Sequence, residues 1–565
     1  MDIQRLILFV ALGLVSMMLM QNWQAYQAEK NPPVAIEQGA NSGVPNTQNL
    51  PAGNVDIPAA TSKVGVPDIQ TPGEATVEQI APAQGEQIEV ITDLLNVKIN
   101  TAGGSVSYAG LTQYPAELDT PEIPVVLMQD NQQQRYLAES GLTGSETGNL
   151  PNHHTLYSAQ KLSYDLGDAQ VLEIPLSYTS PEGVVYTKVY IFKRDSYEID
   201  VFYKVENNSS SPWEGNFYAQ LLRTEPDDGS GGGLLTGRMP SFTGGAYYTK
   251  DEHYNKVKFS AMYKDKTDLP LETAAGWVAM LQHYFVGTWL PEPDGIYRFY
   301  DRVNKQAAKP EYTLGFVDKT VTTIAPGASA ELGSRLFIGP KERARLDAQE
   351  VDKLALTVDF GWLTVIAEPL FWVMRKINNV VGNWGWTIIL ITILIKAMFL
   401  PLSAASYKSM AKMKKLSPRL KTLKERYGDD KQAFQQEMMK LYREEKVNPA
   451  GGCLPILVQI PVFIALYWVL LESVELRQAP WAFWIQDLSS KDPFYILPLL
   501  MGASMLIQQL LNPAPMDPMQ QKIMMALPVV FTIFFLSFPA GLVLYWVVNN
   551  TLSIAQQWMI SRRYQ

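Results

Sequence analysis

Four long runs without a charged residue dominate the C-terminal part of the chain. They cover Ile377–Ile395, Gly451–Leu471, Pro493–Met516 and Ile523–Ser561, which are 19, 21, 24 and 39 residues long. About 20 apolar residues suffice for a helix to cross a bilayer core of about 30 Å. The last run would be about 58 Å long as one helix, and residues 537–541 near its middle can turn the chain. We therefore predict five membrane-spanning helices, at residues 377–402, 451–472, 493–512, 522–538 and 539–560.

The N-terminus carries another apolar run, at residues 6–20. Residues 21–30 lack a convincing small-x-small cleavage motif, so we predict a retained anchor at residues 1–25, with a cleaved signal peptide as the alternative. The following stretch is rich in Pro, Gln, Asn and Gly. This composition is typical of an extended, disordered tether, which we place at residues 26–87.

Short alternating runs separated by turn residues follow, at residues 88–345. Tyr197, Ile199, Val201, Tyr203 and Val205 share one face of a strand, and residues 184–192 form a neighbouring strand candidate. Residues 193–196 would join the two strands, and residues 227–233 (DDGSGGG) read as a loop. The pattern predicts a large antiparallel β-sandwich.

Residues 346–376 are predicted to form an interfacial helix. Trp362, Phe371 and Trp372 suit the level of lipid headgroups, and Arg375 and Lys376 follow them. A helix packed on the sandwich is the alternative interpretation.

Charge predicts the orientation of the spans. Residues 403–450 hold 12 basic and 6 acidic residues, a net charge of +6, and positive connections stay in the cytoplasm. Residues 513–521 and the tail 561–565, with Arg562 and Arg563, fall on the same side, whereas the loop 473–492 falls outside. With six spans the N-terminus is also cytoplasmic, and the β domain lies across the membrane.

The basic segment 403–450 has a helical pattern of its own. Apolar residues recur every three or four positions from Met413 to Tyr427 and again from Phe434 to Leu441. Two antiparallel amphipathic helices fit this pattern. The hairpin is either a solvated connection or a platform for anionic lipid, ribosomal RNA or a nascent chain. The contact residues would be Met410, Met413, Lys414, Lys415, Met438 and Met439.

Composition excludes several function classes. The chain has a net charge of −9, and residues 6–350 hold 41 acidic but only 25 basic residues, which argues against a general nucleic-acid binder. A single cysteine, Cys453, excludes an intrachain disulfide and a cysteine-based zinc site. The four histidines have no metal-ligand spacing, and phosphate-loop, nucleophile-elbow and dinucleotide motifs are absent from the sequence. We expect neither a cofactor nor an enzymatic activity.

Lys396 is the most informative residue, because it interrupts an apolar run inside a predicted span. An ionisable group there costs about 2.5–3.5 kcal/mol, so it needs water or a partner. Lys396 lies about 9 Å inside the predicted helix end, from the rise of about 1.5 Å per residue. Snorkelling to the headgroups is the alternative to a functional site.

Other polar residues share these spans. Thr392 lies one turn before Lys396, and Gln459 lies inside the next span. A stripe of polar side chains follows one face of the last span. Such a stripe lines an aqueous cavity or provides hydrogen bonds between helices. Its members are Trp546, Asn550, Ser553 and Gln557.

Four segments carry a family pattern: residues 407–463 (from YKSMAKMKKLSP to NPAGGCLPILVQIPVF), 474–498, 517–524 (DPMQQKIM) and 538–550 (FPAGLVLYWVVNN). In these segments the sequence resembles the YidC/Oxa/Alb family of membrane protein insertases. The anchor, tether and β domain resemble the Gram-negative form.

The resemblance implies a polytopic helical protein of the bacterial inner membrane, with a five-helix core and a periplasmic β-sandwich. It implies a hydrated groove that is open to cytoplasm and lipid and contains a cation at the position of Lys396, where the family usually has arginine. Thr392, Gln459, Trp546 and Asn550 match groove-lining positions, although tyrosine is common at position 546. The implied function is insertion, folding and assembly of membrane proteins, alone or with the Sec translocon.

The implied partners are nascent membrane proteins, the translocon with SecD/SecF, the ribosome through the basic hairpin and tail, and the bilayer. The residues alone leave two other function classes as alternatives. A solute transporter would show paired ionisable groups and internal repeats. A carbohydrate-active enzyme would need convergent carboxylates in the sandwich.

Overall fold

The computed structural model describes residues 58, 85–144, 150–226, 241–348, 353–428, 430–445, 454–512 and 518–564. The predicted anchor, nearly all of the tether and the loop 227–233 lie outside these residues. The chain divides into two compact units. The described residues up to Val358 form the β unit, and those from Asp359 onward form the helical unit.

Twenty strands, two short α-helices and the 3-10 helix Leu354–Thr357 make up the described β unit. The α-helices are α1 (Phe259–Tyr263) and α2 (Arg343–Ala348). In chain order, the strands are β1 Gln87–Ile91, β2 Leu95–Asn100, β3 Ser105–Glu117, β4 Thr120–Asp130, β5 Arg135–Thr143, β6 Ser158–Ala159, β7 Ser163–Asp165, β8 Val171–Thr179, β9 Val184–Lys193, β10 Glu198–Asn207, β11 Trp213–Thr224, β12 Gly244–Thr249, β13 His253–Val257, β14 Thr273–Ala274, β15 Trp277–Leu281, β16 Phe285–Leu290, β17 Ile296–Asn304, β18 Glu311–Asp318, β19 Thr322–Ile324 and β20 Ser329–Pro340.

The strands form two sheets. The 11-stranded sheet has the order β14-β17-β18-β11-β5-β4-β3-β2-β1-β7, with β19 paired to β11. The 9-stranded sheet has the order β13-β12-β15-β16-β20-β10-β9-β8-β6. Strands β11 and β18 of the first sheet contact β15 and β16 of the second. The predicted antiparallel β-sandwich is therefore confirmed, with β1 and β7 as a parallel pair at one edge.

Strands β9 and β10 form the hairpin that the alternating pattern predicts. Their register pairs Ile199 with Phe192 and Val205 with Tyr186. The five alternating residues of 197–205 are all buried, because a period of two turns them to one face of the sheet. Tyr203 of this set contacts Phe217 of the other sheet at a ring-centroid distance of 6.3 Å.

Eight helices make up most of the described helical unit. They are α3 Thr364–Val381, α4 Trp384–Met398, α5 Leu400–Arg426, α6 Lys431–Glu444, α7 Leu454–Glu472, α8 Ile496–Leu511, α9 Pro518–Phe535 and α10 Ala540–Tyr564. Within the described residues, no single helix has both the length and the hydropathy of a bilayer span. The pair α4 and α5, bent by 66°, meets these criteria together.

The helix boundaries differ from the prediction around residues 346–402. Two short 3-10 helices, Leu354–Thr357 and Gly361–Leu363, precede α3, so the predicted helix over 346–376 begins only at Thr364. It then runs five residues further, to Val381. Gly382 ends α3 in the left-handed conformation (φ 69°), and Asn383 caps α4 by accepting a hydrogen bond from the Trp386 backbone. The predicted span 377–402 is thus divided between α3, α4 and α5.

The aromatic residues of the predicted interfacial helix have unlike positions. Phe371 is buried and stacks on Trp384 at a ring-centroid distance of 6.3 Å. Trp372 is 62% exposed, and the Lys376 ammonium lies over its ring. Helix α3 therefore packs one face on the helical unit and leaves Trp372 outside.

Helices α5 and α6 form the predicted basic hairpin. Leu416 and Leu420 are buried, and four partly buried side chains pack on them: Met413, Met438, Leu441 and Tyr442. Asp430 begins α6 by accepting hydrogen bonds from the backbones of Gln432 and Ala433. Near the open end of the hairpin, Arg419 pairs with Glu445 at 2.6 Å.

Candidate functional site

Lys396 lies in the last turn of α4 and is buried, with 5% of its surface exposed. Its ammonium donates a hydrogen bond of 2.7 Å to the hydroxyl of Ser553 on α10. A buried cation requires such a partner, because it has lost its hydration shell. The side chain therefore faces the interior of the helical unit.

Ser553 connects this ammonium to the backbone of α10. Its hydroxyl donates to the Asn549 carbonyl at 2.7 Å, one turn earlier, while accepting from Lys396. The Tyr407 hydroxyl on α5 lies near the same serine hydroxyl. Side chains from three helices, α4, α5 and α10, thus converge on one serine hydroxyl.

The polar stripe of α10 faces the same interior. Asn550, Ser553 and Gln557 are each at most 4% exposed. Asn550 donates to the Ser504 hydroxyl at 3.1 Å, and Gln557 donates to the Asn512 side-chain oxygen at 3.1 Å. These two bonds connect α10 with α8 and the residue that follows it. The side-chain amide oxygen of Gln557 is buried and has no partner among the described residues.

The remaining predicted groove residues occupy different surroundings. Thr392 is buried one turn before Lys396 and donates to the Ile388 carbonyl of its own helix at 2.6 Å. Gln459 is half-buried on α7, and none of the hydrogen bonds given for the described residues joins it to Lys396 or Ser553.

Trp546 lies in an aromatic cluster. Its ring is 4.9 Å from that of Phe463 and 5.9 Å from that of Phe535. Its indole nitrogen is buried without a hydrogen-bond partner in the described structure. The structure therefore places Trp546 beside the polar stripe, in contact with α7 and α9, rather than within the stripe's hydrogen bonds.

Acidic side chains do not surround Lys396. Helices α4, α8 and α10 contain no Asp or Glu, and the structure gives no ion pair for Lys396 among the residues that it describes. No group of three metal-ligating side chains occurs in those residues either. The arrangement can transiently bind a carboxylate, because a neutral hydroxyl is a replaceable partner for a buried ammonium.

The loop between α7 and α8 is held by a buried acid. Asp492 is completely buried and accepts hydrogen bonds from the Trp484 indole at 2.9 Å and the Leu497 backbone at 2.7 Å. Asn383, just before α4, donates to the Pro480 carbonyl at 3.2 Å. These bonds fasten the loop to the starts of α4 and α8. The start of α4 is the end of that helix opposite to Lys396.

The predicted hairpin contact residues divide into two groups. Met413 and Met438 pack inside the hairpin, since they cover Leu416 and Leu420. Met439, Lys414 and Lys415 are exposed. Met410 is half-buried near the Ser406 hydroxyl. The exposed surface of the hairpin is therefore mainly basic, and only part of the predicted methionine surface is available.

Three residues of the site escaped the sequence analysis. Ser504 and Asn512 are polar positions within the uncharged run 493–516, and Tyr407 follows the predicted end of a span. Polar residues in such a run are a usable signal. Their pairing with α10 depends on helix packing, which a single sequence does not contain.

Two family models match the chain. The model described as the YidC periplasmic domain matches residues 87–373, and the model described as the 60Kd inner membrane protein matches residues 376–565. The boundary between them falls within α3.

Curated relatives match over the whole chain. The membrane protein insertase YidC of Thioalkalivibrio sulfidiphilus is 46% identical over 100% of this chain and 99% of that protein. The protein of the same name from Nitrosococcus oceani is 47% identical, with the same coverage.

Solved structures give weaker similarity. The crystal structure of an active YidC insertase with its first transmembrane domain resolved is 18% identical, with a TM-score of 0.38, over 84% of this chain and 94% of that chain. A galactose mutarotase-related enzyme from Lactobacillus acidophilus is 11% identical, with a TM-score of 0.29, over 45% of this chain and 97% of that chain. On the family models and the full-length relatives, the chain belongs to the YidC family of membrane protein insertases.

Proposed function

We propose that this protein is an insertase that inserts, folds and helps to assemble integral inner-membrane proteins. The buried Lys396 ammonium carries the proposal, because its partner is a neutral hydroxyl on a neighbouring helix. Such a cation is available to an acidic segment of a substrate. The resemblance of residues 407–463 and 538–550 to the insertase family supports the same function.

The physical problem is to move a short polar segment across hydrocarbon. Each unsatisfied backbone group costs several kcal/mol there. A hydrated groove that reaches part of the way into the membrane shortens the dry path. In this mechanism, the polar stripe of α10 lines the groove and Lys396 transiently binds an acidic residue of the substrate. The apolar segment then moves sideways into lipid, driven by its burial at about 25 cal/mol per Å².

We assign the two ends of the groove different roles. The end near Lys396 leads into α5 and the basic hairpin, which supports an opening toward the cytoplasm. The opposite end carries the loop that Asp492 fastens, which supports closure toward the periplasm. In this arrangement both chain termini are cytoplasmic, and the five predicted core spans together with the N-terminal anchor give six spans.

The hairpin serves as the receiving surface in this proposal. Its exposed lysines, Lys414 and Lys415 among them, suit a ribosome or anionic lipid headgroups. Residues 561–565 add Arg562 and Arg563 on the same side. The Sec translocon with SecD/SecF is the proposed partner for larger substrates.

Replacement of Lys396 tests the mechanism. Lys396→Ala should abolish insertion of a short membrane protein with an acidic tail, whereas Lys396→Arg should preserve it, because charge is the required property. The measurement is protease protection of the substrate after insertion into proteoliposomes. Lys376→Ala, which removes an exposed lysine from α3, is the matched control. Full insertion by Lys396→Ala would exclude the proposed role of the charge.

Water access tests the groove itself. A Lys396→Cys variant in a Cys453→Ser background should react with a membrane-impermeant maleimide added from the cytoplasmic side. A Leu394→Cys variant, whose parent side chain is 49% exposed and lies two residues before Lys396, on another face of α4, provides the lipid-facing control. Equal protection of both positions would contradict a hydrated groove.

A further inference from the structure

The β unit contains a cavity of about 280 Å³ where β4, β5, the end of β11 and the turn between β15 and β16 meet. Its wall carries two arginines, Arg135 and Arg223, and one histidine, His283. None of the described side chains that line it is a carboxylate. All the residues that line the cavity belong to the β unit.

Arg223 supplies a fixed cation at one side of this cavity. The side chain is only 5% exposed. Its guanidinium donates to the Gln282 side-chain oxygen at 2.6 Å and to the Leu281 carbonyl at 3.4 Å, and it lies 4.6 Å from the Tyr136 ring. These contacts set the plane of the guanidinium. A planar fork held in one orientation is suited to a carboxylate.

Arg135 lies at a second edge of the cavity. It pairs with Asp130 at 2.8 Å and with Glu311 at 2.6 Å, so two carboxylates hold its side chain in place. About a third of that side chain, 35%, remains exposed. Arg135 therefore forms the rim, whereas Arg223 forms the interior.

Apolar side chains form one part of the wall, and polar residues, among them Gln129, Gln134 and Thr224, line another part. Val126 and Leu127 come from β4, and Phe285 begins β16. Phe285 is held edge-on against Tyr114 at a centroid distance of 5.5 Å. A molecule in the cavity thus meets a cation on one side and hydrocarbon on the other.

We propose that this cavity binds a small amphipathic carboxylate, with the carboxylate on Arg223 and a short apolar group against Val126, Leu127 and Phe285. The volume suits one or two amino-acid residues. The same chemistry is present in a free organic acid and in the carboxyl terminus of a polypeptide that ends in an apolar residue.

Calorimetric titration of the full-length protein in detergent tests the site. N-acetyl-leucine is the probe, and N-acetyl-leucinamide is its uncharged counterpart. The dissociation constant of the acid should be at least about tenfold lower than that of the amide, because the amide cannot form the charge-assisted hydrogen bonds. Equal binding of the two compounds, or no binding of the acid, would overturn the proposal.

Variants locate the binding at this cavity. Arg223→Gln should weaken binding of the acid by about tenfold. Arg335→Gln removes an arginine that pairs with Glu198 outside the cavity, and it should leave binding unchanged. If Arg223→Gln fails to fold, two substitutions of the half-buried Val126 provide a second pair of variants. Val126→Glu should exclude the acid by repulsion, and Val126→Gln should retain it. Unchanged binding by Val126→Glu would place the ligand elsewhere.

Two peptides distinguish the sources of the carboxylate. One short peptide ends in leucine with a free carboxyl group, and the other has the same sequence with an amidated end. Tighter binding of the free-acid peptide supports a polypeptide terminus as the ligand. Binding of N-acetyl-leucine without binding of either peptide supports a free organic acid.

Discussion

Lys188 of the β unit and Lys396 of the helical unit are both buried, but the number and type of groups that contact their ammonium ions differ. The Lys188 side chain is completely buried, and its ammonium donates to the carbonyls of Gly103 at 3.3 Å and Ser140 at 3.2 Å. Three tyrosine rings lie 5.4–5.9 Å from it. The Lys396 ammonium has one described hydrogen bond, to Ser553.

The difference indicates what each lysine can do. Fixed carbonyls and aromatic rings enclose Lys188 on several sides, so no ligand can approach it without opening the sandwich. Lys396 depends on one hydroxyl, which an arriving carboxylate can replace. A buried cation is therefore a candidate ligand site when its partners are few, neutral and on a different element.

The largest effect is expected from Lys188→Ala. Removing this side chain leaves a cavity and two unpaired carbonyls, so the free energy of unfolding of the β unit should fall by about 2–5 kcal/mol. Urea unfolding of the full chain, followed by the circular dichroism of the β unit, measures this. Lys193→Ala, which removes an exposed lysine paired with Asp200 at 2.7 Å, should cost less than about 1 kcal/mol. Below the unfolding transition, Lys188→Ala should still insert substrate. Loss of insertion without loss of stability would contradict a purely structural role for Lys188.

A second prediction concerns pH. Burial lowers the pKa of Lys188 to about 7, although the charge of Glu139 acts in the opposite direction. The unfolded chain holds this proton up to about pH 10.4, so it binds more protons than the folded state between the two values. The free energy of unfolding of the β unit should therefore rise from pH 7 to pH 9, by on the order of 1 kcal/mol per pH unit. The same gain should disappear as the pH is lowered from 9 to 7.

The matched variant for this prediction is Lys188→Met, which keeps the volume but cannot titrate. Its melting temperature should vary less with pH than that of the wild type. The neighbouring tyrosines Tyr157, Tyr190 and Tyr203 have pKa values raised by burial, so they stay neutral in this range. The same slope in Lys188→Met and wild type would assign the dependence to other groups.

Ser553→Ala is expected to have a smaller effect than loss of Lys396. The variant leaves the ammonium without its hydroxyl partner, which costs about 1–3 kcal/mol, so insertion should slow while the charge remains. Ser553→Thr restores a hydroxyl and should recover the wild-type rate. The initial rate of insertion measures both variants, and an unchanged rate in Ser553→Ala would show that the hydroxyl does not position Lys396.

The smallest effect is expected from Ser504→Ala. This change removes the acceptor of the Asn550 amide on α10, and a single neutral hydrogen bond contributes about 0.5–1.5 kcal/mol. Thermal unfolding of the helical unit should shift slightly, while insertion stays near the wild-type rate. A loss of insertion comparable to that of Lys396→Ala would extend the essential site from α4 to α8.

Local patterns predicted several parts of the molecule. The alternation in 184–205 predicted the β9–β10 hairpin, because burial on one face of a sheet imposes a period of two. The same alternation places Lys188 inward between Tyr186 and Tyr190, a signal that the sequence analysis did not use. The polar stripe of α10 predicted the buried face with Asn550, Ser553 and Gln557, because helical periodicity groups these residues.

Other features could not be read from one sequence. The pairing of Ser553 with Lys396 joins residues that are 157 positions apart, and only helix packing brings them together. Trp546 follows the spacing of the polar stripe, yet its large ring packs against Phe463 and Phe535. The break at Gly382 and Asn383 was hidden by the absence of charge, although a glycine followed by a capping residue is a recognisable helix boundary.

The bend between α4 and α5 places the base of the hairpin next to Lys396. Phe399, where the chain turns by 66°, is three residues after Lys396. Helix α5 continues for 27 residues from this point. We expect a tilt of α5 to rotate the final turn of α4, because the two helices join at Phe399. Binding of a substrate at the far end of α5 would thereby change the direction of the Lys396 side chain. Binding to the hairpin and entry into the groove would then be coupled.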